Sequence, residues 1–277
     1  MTATNPLTRL RQRRSDSVIT YGVLLAGAAL WLFPLITAVR ASVAYGGPKN
    51  YWIVLTREFN QVSLPMTFGN SLIIAVLHVV LVCGAGSMAA YAFSKLRFPF
   101  RETLYYAVLI FLAVPGVAII VPVYWITGQL GLFNSHLGVA LPEAALTLPF
   151  AVLMLRNYAN GLSDEMIEAA QLDGAGHFRI FRSIFLPLAR PALVNLGALC
   201  VMWSLQDFMW PATVLKKPEL TTAAQAVSTI RSAFGPTPLE SSQYFAALVL
   251  LAVPAVVLVV VGLRYITEGI TSGGVKE

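Results

Sequence analysis

The sequence predicts an all-α membrane protein with about six transmembrane helices. Hydrophobic residues make up 57% of its 277 residues and charged residues only 12%, whereas a soluble globular protein carries about 25% charged residues. The mean hydropathy is +0.72, and most apolar residues fall in long runs that contain few charges. Lipid rather than water is therefore the main solvent of this chain.

Six apolar segments are long enough to cross a bilayer, which requires about 20 helical residues because unpaired backbone groups are too costly in hydrocarbon. We place the spans at residues 18–39, 71–93, 103–125, 137–155, 191–208 and 244–263. The first span follows a cluster of arginines, as the apolar region of a signal peptide would, but it is longer than such a region and five more spans follow. We therefore expect it to remain as an uncleaved helix.

The positions of the basic residues predict the orientation of these spans. If the N-terminus is cytoplasmic, most Lys and Arg residues fall in cytoplasmic segments, as the positive-inside rule requires. The predicted division is a basic cytoplasmic N-terminus (1–17), a transmembrane domain (18–263) with a cytoplasmic loop (156–190), and a cytoplasmic tail (264–277). The net charge is +6, but the scattered basic residues form no patch typical of nucleic-acid binding.

The cytoplasmic loop before the fifth span is predicted to fold as a helix, a turn and a second helix. Ser163 can cap the first helix, and Asp164 and Glu165 are favourable in its first turn. The pair Asp173-Gly174 predicts where this helix ends. A helix of about ten residues is too short to be stable alone in water. It should therefore depend on contacts with the rest of the chain or with a partner.

The middle of this first helix has the features of a docking surface. Ala169 and Ala170 leave little side-chain bulk beside Glu168, so another surface could approach the backbone while one charge remains to be paired.

The second helix of the loop has an apolar face. Phe178, Phe181 and Phe185 recur at helical spacing, which predicts that they pack under the membrane bundle. Arg179 and Arg182 lie between them, where lipid phosphates or a partner protein are both suitable ligands.

The same loop contains a spaced set of residues that fits the EAA motif: Glu168-Ala169-Ala170, Gly174, Ile184, Leu186 and Pro187. Three further stretches, spread over nearly the whole chain, carry the same family resemblance: Asn70-Ser71-Leu72, Ala90-Tyr91-Ala92-Phe93 and Gly269-Ile270-Thr271-Ser272-Gly273-Gly274-Val275-Lys276. With these residues the chain resembles the permease subunits of binding-protein-dependent ABC importers, and within them the maltose-type carbohydrate permeases.

The resemblance implies the ABC importer permease fold, with both termini cytoplasmic, in a bacterial or archaeal plasma membrane. It implies that the EAA loop forms a coupling helix seated in a cleft of a separate nucleotide-binding subunit, with Glu168 facing basic groups there. The implied partners are those ATPase subunits, which would hold ATP and Mg, a second homologous permease, and an extracytoplasmic solute-binding protein. The implied cargo is a sugar or a related polyol, although Gln206 stands where relatives commonly have Asn.

Candidate residues for the solute pathway come from the polar groups within the spans. Glu143 and Asp207 are the acidic residues there, and a charge at a helix centre costs about 2.5–3.5 kcal/mol on the insertion scale. Trp203, Gln206, Asp207 and Trp210 are spaced as one face of a helix, an arrangement suited to stacking on a sugar and bonding its hydroxyls. Anchoring of Trp210 at the interface and helix pairing by Gln206 are equally open. His78 is expected to be a packing residue whose hydrogen bonds are satisfied within the bundle.

The sequence contains no glycine-rich phosphate-binding loop, metal-ligand pattern or hydrolase motif, so we expect neither an enzyme nor a bound cofactor. Three alternatives to sugar import remain at this point. They are an importer of a glycerol-phosphate-type solute, an ion-coupled secondary transporter with Glu143 and Asp207 as a relay, and a scaffold that only recruits a cytoplasmic protein.

Overall fold

The computed structural model describes the backbone of residues 6–273 and the side chains of residues 17–257, and most of the described backbone is helical. The side chains of residues 1–16, in the basic N-terminus, lie outside the described residues. So do those of residues 269–276, the C-terminal stretch on which the family resemblance partly rests. Residues 274–277 lie outside them altogether, so the predicted tail is described only in part.

The helices of the described chain are α1 (Pro6–Ala44), α2 (Lys49–Thr56), α3 (Leu64–Lys95), α4 (Arg101–Ile110), α5 (Ile120–Gln129), α6 (His136–Asn160), α7 (Asp164–Leu172), α8 (His177–Ile180), α9 (Leu186–Leu188), α10 (Arg190–Gln206), α11 (Met209–Val214), α12 (Ala223–Ala233) and α13 (Pro238–Gly273). A short antiparallel hairpin, β1 (Glu58–Phe59) and β2 (Val62–Ser63), precedes α3. A π-helical segment, Phe181–Phe185, joins α8 to α9.

Four described helices are long and apolar enough to cross a membrane, and two bent helix pairs raise the number to as many as six. The third predicted span is one of these pairs rather than a continuous helix, because the segments Arg101–Ala113 and Gly116–Gln129 meet at 96°. Pro115 lies in the break and has no N–H to donate, and Val114 before it is extended. Proline therefore divides this span into two helices.

The core forms where α3 packs against α6 and α10. Its buried side chains include Val82, Ala151, Leu196 and Cys200. At Gly86 an added Cβ would lie 3.1 Å from the Cβ of Ala151, so α3 and α6 approach each other through small residues, as membrane helices commonly do.

The chain divides into two compact units, one of residues 1–54 and 234–250 and the other of residues 55–233 and 251–277. In the first unit, Asn50 Nδ2 donates to the carbonyls of Ser42 and Tyr45 at 2.8 and 2.7 Å. The backbone N–H of Tyr45 donates to Ser242 Oγ at 3.2 Å. The second unit contains the helix core and the candidate sites.

We expect Gly138→Ala to destabilise the second unit. An added Cβ at this position would clash with the carbonyl oxygen of Leu132 and lie 3.0 Å from Val214 Cγ1, and overpacking of this kind costs about 1–3 kcal/mol. Thermal unfolding of the purified chain in detergent would show a lower Tm. Gly84→Ala is the control, because nothing lies within 4 Å of its added Cβ. Equal Tm values for the two variants would contradict the prediction.

Candidate functional site

A cavity of about 340 Å³ lies where α3, α6 and α10 meet the two helix breaks of the second unit. Its lining residues are His78, Gly116, Glu143, Leu146, Thr147, Trp203, Gln206, Asp207, Met209 and Trp210. Gly116 reaches the cavity from the break at Pro115, and Met209 from the start of α11. The two acidic residues predicted from the spans, Glu143 and Asp207, therefore line one cavity.

Glu143 is the centre of a buried polar network in this cavity. Its side chain is 6% exposed, and its Oε2 accepts a hydrogen bond from Ser204 Oγ at 2.7 Å. His78 Nδ1 lies 3.4 Å from the same oxygen. Glu143 Oε1 and His78 Nδ1 are buried without a hydrogen-bond partner among the described residues. Buried polar atoms without a partner are uncommon, and bound water or a polar ligand can pair with them.

His78 is buried, with 1% of its surface exposed, as expected of a packing residue, and its ring also takes part in this network. Its Nε2 lies 3.0 Å from Thr147 Oγ1. Thr147 uses its own hydrogen to donate to the carbonyl of Glu143 at 2.8 Å, so His78 donates through Nε2. The sequence around His78 could not predict these contacts, because Thr147 and Glu143 belong to another helix.

Asp207 does not continue the helical face predicted with Trp203 and Gln206. Helix α10 ends at Gln206, and Asp207 is extended, with φ −69° and ψ 122°. Its Oδ1 accepts from the backbone N–H groups of Met209 and Trp210 at 2.8 and 3.4 Å. A short acidic side chain that bonds nearby backbone competes with helix continuation. All four residues still line the cavity: Trp203 and Gln206 from one face of α10, and Asp207 and Trp210 from beyond the helix break.

The two tryptophans of the set have different environments. Trp203 is 40% exposed, and its ring meets Phe150 edge-on with centroids 5.5 Å apart. Trp210 is 3% exposed and packs with Ile74 and Val139. Trp203 is therefore the ring that is exposed for stacking, whereas Trp210 is a buried part of the cavity lining.

The loop before α10 has the predicted helix–turn–helix form. Ser163 Oγ accepts the N–H of Glu165 at the start of α7, and Gly174 has φ +79°, which glycine adopts without strain. The EAA residues after the cap differ in exposure: Glu168, Ala169, Gly174 and Pro187 are exposed, whereas Ala170, Ile184 and Leu186 are half-buried.

A cluster of buried residues anchors the back of this loop: Tyr91, Ala159, Ile167, Ile180, Phe185 and Ala189, called here the loop cluster. The ring of Tyr91 lies 5.4 Å from Phe181 and 5.3 Å from Phe185 between centroids. Phe178, predicted to pack with them, is instead 75% exposed. Phe181 and Phe185 both face Tyr91 of α3, whereas Phe178 lies on the exposed side of α8, so the three rings do not share one buried face.

Residues 83–271 match a family described as the inner membrane component of binding-protein-dependent transport systems. The chain belongs to this family. It is therefore a permease of the plasma membrane that crosses the bilayer several times, and its fold is the ABC importer permease fold expected from the sequence.

Three curated relatives of this permease are transport system permeases. The lactose transport system permease of Rhizobium radiobacter is 30% identical to this chain, and the alignment covers 83% of this chain and 86% of the relative. The arabinooligosaccharides transport system permease of Halalkalibacterium halodurans is 34% identical, over 79% of this chain and 77% of the relative. The trehalose protein of Mycobacterium tuberculosis is 29% identical over 94% of both chains.

Solved structures share the fold of this permease. A bacterial ABC transporter involved in the import of the acidic polysaccharide alginate matches with a TM-score of 0.80 and 20% identity, over 95% of this chain and 99% of that one. The methionine ABC transporter in an inward-facing conformation matches with a TM-score of 0.54 and 18% identity, over 74% and 93%.

We expect Phe185→Ala to loosen the loop. The ring is 1% exposed, and removing a buried phenylalanine costs about 3–5 kcal/mol. Limited proteolysis of the permease in detergent would cleave residues 160–190 faster, with a lower Tm. Phe178→Ala is the matched control, because its ring is 75% exposed. A loop as resistant in the first variant as in the second would contradict the anchoring role of Phe185.

Proposed function

We propose that this permease is the translocation subunit of an ATP-driven importer of a sugar or related polyol, and that α7 is the coupling helix driven by a separate ATPase. The observation that carries the proposal is the division of α7 into a buried back and an exposed front. Ile167 is 9% exposed against the loop cluster, whereas Glu168 and Ala169 next to it are exposed.

This division fits a helix that transmits force. A free nine-residue helix would unfold in water, but the loop cluster holds α7 against the bundle. A partner could then grip the small Ala169 surface closely and pair with Glu168. We propose Glu168, Ala169, Ala170 and Gly174 for this contact, with Ile184, Leu186 and Pro187 supporting the second arm of the loop.

Exposed apolar side chains extend the proposed docking surface. Leu172 is 89% exposed and Phe178 75% exposed, and both belong to the loop. Interfaces are enriched in such aromatic and apolar side chains at their centres. A protein partner on this side of the bundle would cover both residues.

The family supports the remaining parts of the proposal. The ATPase subunits, rather than this chain, would bind ATP and Mg, a second permease would complete the pathway, and a solute-binding protein would deliver the cargo from outside. The division into a transmembrane domain (18–263) and a cytoplasmic loop (156–190), with both termini cytoplasmic, belongs to the same proposal.

The cavity around Glu143 is our proposed solute contact, with Trp203, Gln206, Asp207 and Trp210. Its polar groups include two carboxyls, an amide and an imidazole, and Trp203 exposes a ring. Hydroxyl-rich solutes use such groups for hydrogen bonding and stacking. The relatives named for lactose, arabinooligosaccharides and trehalose favour a sugar.

The charge of the cavity disfavours the glycerol-phosphate alternative. No Lys or Arg is among its described lining residues, and phosphate recognition normally requires such groups. An anionic solute would instead face Glu143 and Asp207. Membership of a binding-protein-dependent family disfavours the ion-coupled transporter and the scaffold.

We expect Glu168→Lys to abolish ATP-driven uptake while the protein still inserts in the membrane. The change would place like charge against the proposed basic cleft, at a cost of about 2–5 kcal/mol in docking. Co-purification of the ATPase subunit and ATP hydrolysis by the assembled complex would measure the loss. Asp173→Lys is the control, because it reverses an exposed charge at the end of the same helix. Normal docking of the Glu168 variant would refute the coupling assignment.

We expect Trp203→Ala to reduce uptake about three- to tenfold, because a stacked aromatic ring contributes about that much. The measurement is uptake of radiolabelled trehalose, lactose and arabinotriose into proteoliposomes that contain the assembled importer and its solute-binding protein. Trp125→Ala serves as control, since Trp125 is 65% exposed on α5 and does not line the cavity. Equal uptake by both variants would remove Trp203 from the pathway.

A further inference from the structure

Lys95, the last residue of α3, is joined to the start of α7. Its Nζ donates to Asp164 Oδ1 at 2.6 Å and to the carbonyl of Leu162 at 2.9 Å. The Lys95 side chain is 3% exposed, whereas that of Asp164 is 76% exposed. A buried ammonium group needs partners of this kind, so its geometry is fixed by the first turn of α7.

Two further contacts strengthen the same junction. Ser94 Oγ donates to Asn160 Oδ1 at 2.7 Å, just before the loop begins. Tyr91, one turn earlier on α3, packs in the loop cluster with Ile167 of α7. The last two turns of α3 therefore contact the loop through an ion pair, a hydrogen bond and an aromatic ring.

Helix α3 is better suited to carry motion than α6, which is covalently joined to the loop. Helix α6 contains Pro142 and Pro149, and each proline removes a backbone hydrogen bond and favours bending. Helix α3 runs for 32 residues with its proline confined to the first turn. Pro149 lies between Glu143 and the loop, so the covalent path from the loop to the cavity includes a position without a backbone N–H to donate.

The middle of α3 touches the proposed solute cavity. His78 lies 17 positions before Lys95, about 25 Å along the helix axis. Its ring contacts Thr147 and Glu143, as described above. One uninterrupted helix thus joins the proposed ATPase contact to the proposed solute contact.

We propose that Lys95 is a positioning residue that fastens the coupling helix to α3, and that α3 transmits movement of α7 to His78 and the cavity. This inference rests on the proposed function, because it requires α7 to be the element that the ATPase moves. In this proposal, the Lys95–Asp164 ion pair makes α3 move together with α7. The movement of α3 then shifts His78 relative to Glu143.

The test compares Lys95→Met, Lys95→Arg and Arg97→Met in the complete importer, held in lipid nanodiscs. Methionine has an unbranched side chain similar in length to the buried part of Lys95. Asp164, which loses its partner in this variant, is 76% exposed, so water can solvate its charge. Arginine keeps the charge. Arg97 is an exposed basic residue two positions further on, which makes it a matched control for loss of charge. Amide hydrogen exchange is followed without nucleotide and after trapping with ATP and vanadate.

In the wild type, trapping should change exchange both in α7 and in residues 74–82 of α3. In Lys95→Met the change in α7 should remain, whereas the change in residues 74–82 should fall about tenfold, which is within the range for residues that carry coupling. Lys95→Arg and Arg97→Met should retain both changes. This separation would not arise if Lys95 only stabilised the fold.

Three results would overturn the inference. One is a response of residues 74–82 in Lys95→Met within about twofold of the wild type. Another is joint loss of both responses, which would make Lys95 an assembly residue. A third is a wild type that responds in α7 but not in α3. A wild type without any response in α7 would instead overturn the proposed function itself, and with it this inference.

Discussion

The close packing of α3 against α6 is the constraint on which the rest of this permease depends. Gly86 and Ala151 allow the two backbones to approach, and the contact extends through Val82 and Leu155. Lipid offers no hydrophobic drive for helix association, so shape complementarity between small residues must supply it. Because the two helices stay together, His78 can reach the side chain of Glu143, and the end of α3 can reach the loop that follows α6.

The candidate solute cavity forms where regular helices stop. Pro115 breaks the pair α4 and α5, and Asp207 separates α10 from α11. Irregular backbone within a membrane is tolerated where protein or a water-filled cavity satisfies its polar groups. Here the carboxylate of Asp207 binds the backbone N–H groups that the break exposes. The break after α10 also puts Asp207 in the cavity that Glu143 lines from the continuous helix α6.

The loop at the other end of α3 has two opposite faces. Its apolar face packs in the loop cluster, and its EAA face is exposed with Glu168 and Ala169. A surface that is anchored on one side and small on the other can move as a unit with the bundle. This arrangement is compatible with the proposed coupling role and with an alternation between two states of the pathway.

The sequence by itself determined the membrane class, the approximate spans, the helix–turn–helix loop and the family. These features depend on local patterns: apolar length, capping by Ser163, the turn at Gly174 and the spacing of the EAA residues. Only the tertiary structure placed His78 and Ser204 beside Glu143, turned Phe178 outward and joined Lys95 to Asp164. Those relations depend on contacts between residues that are far apart in the chain, such as the contacts of Tyr91 with Phe181 and Phe185. No periodicity within one segment encodes them, because they depend on which helices pack together and where each helix ends.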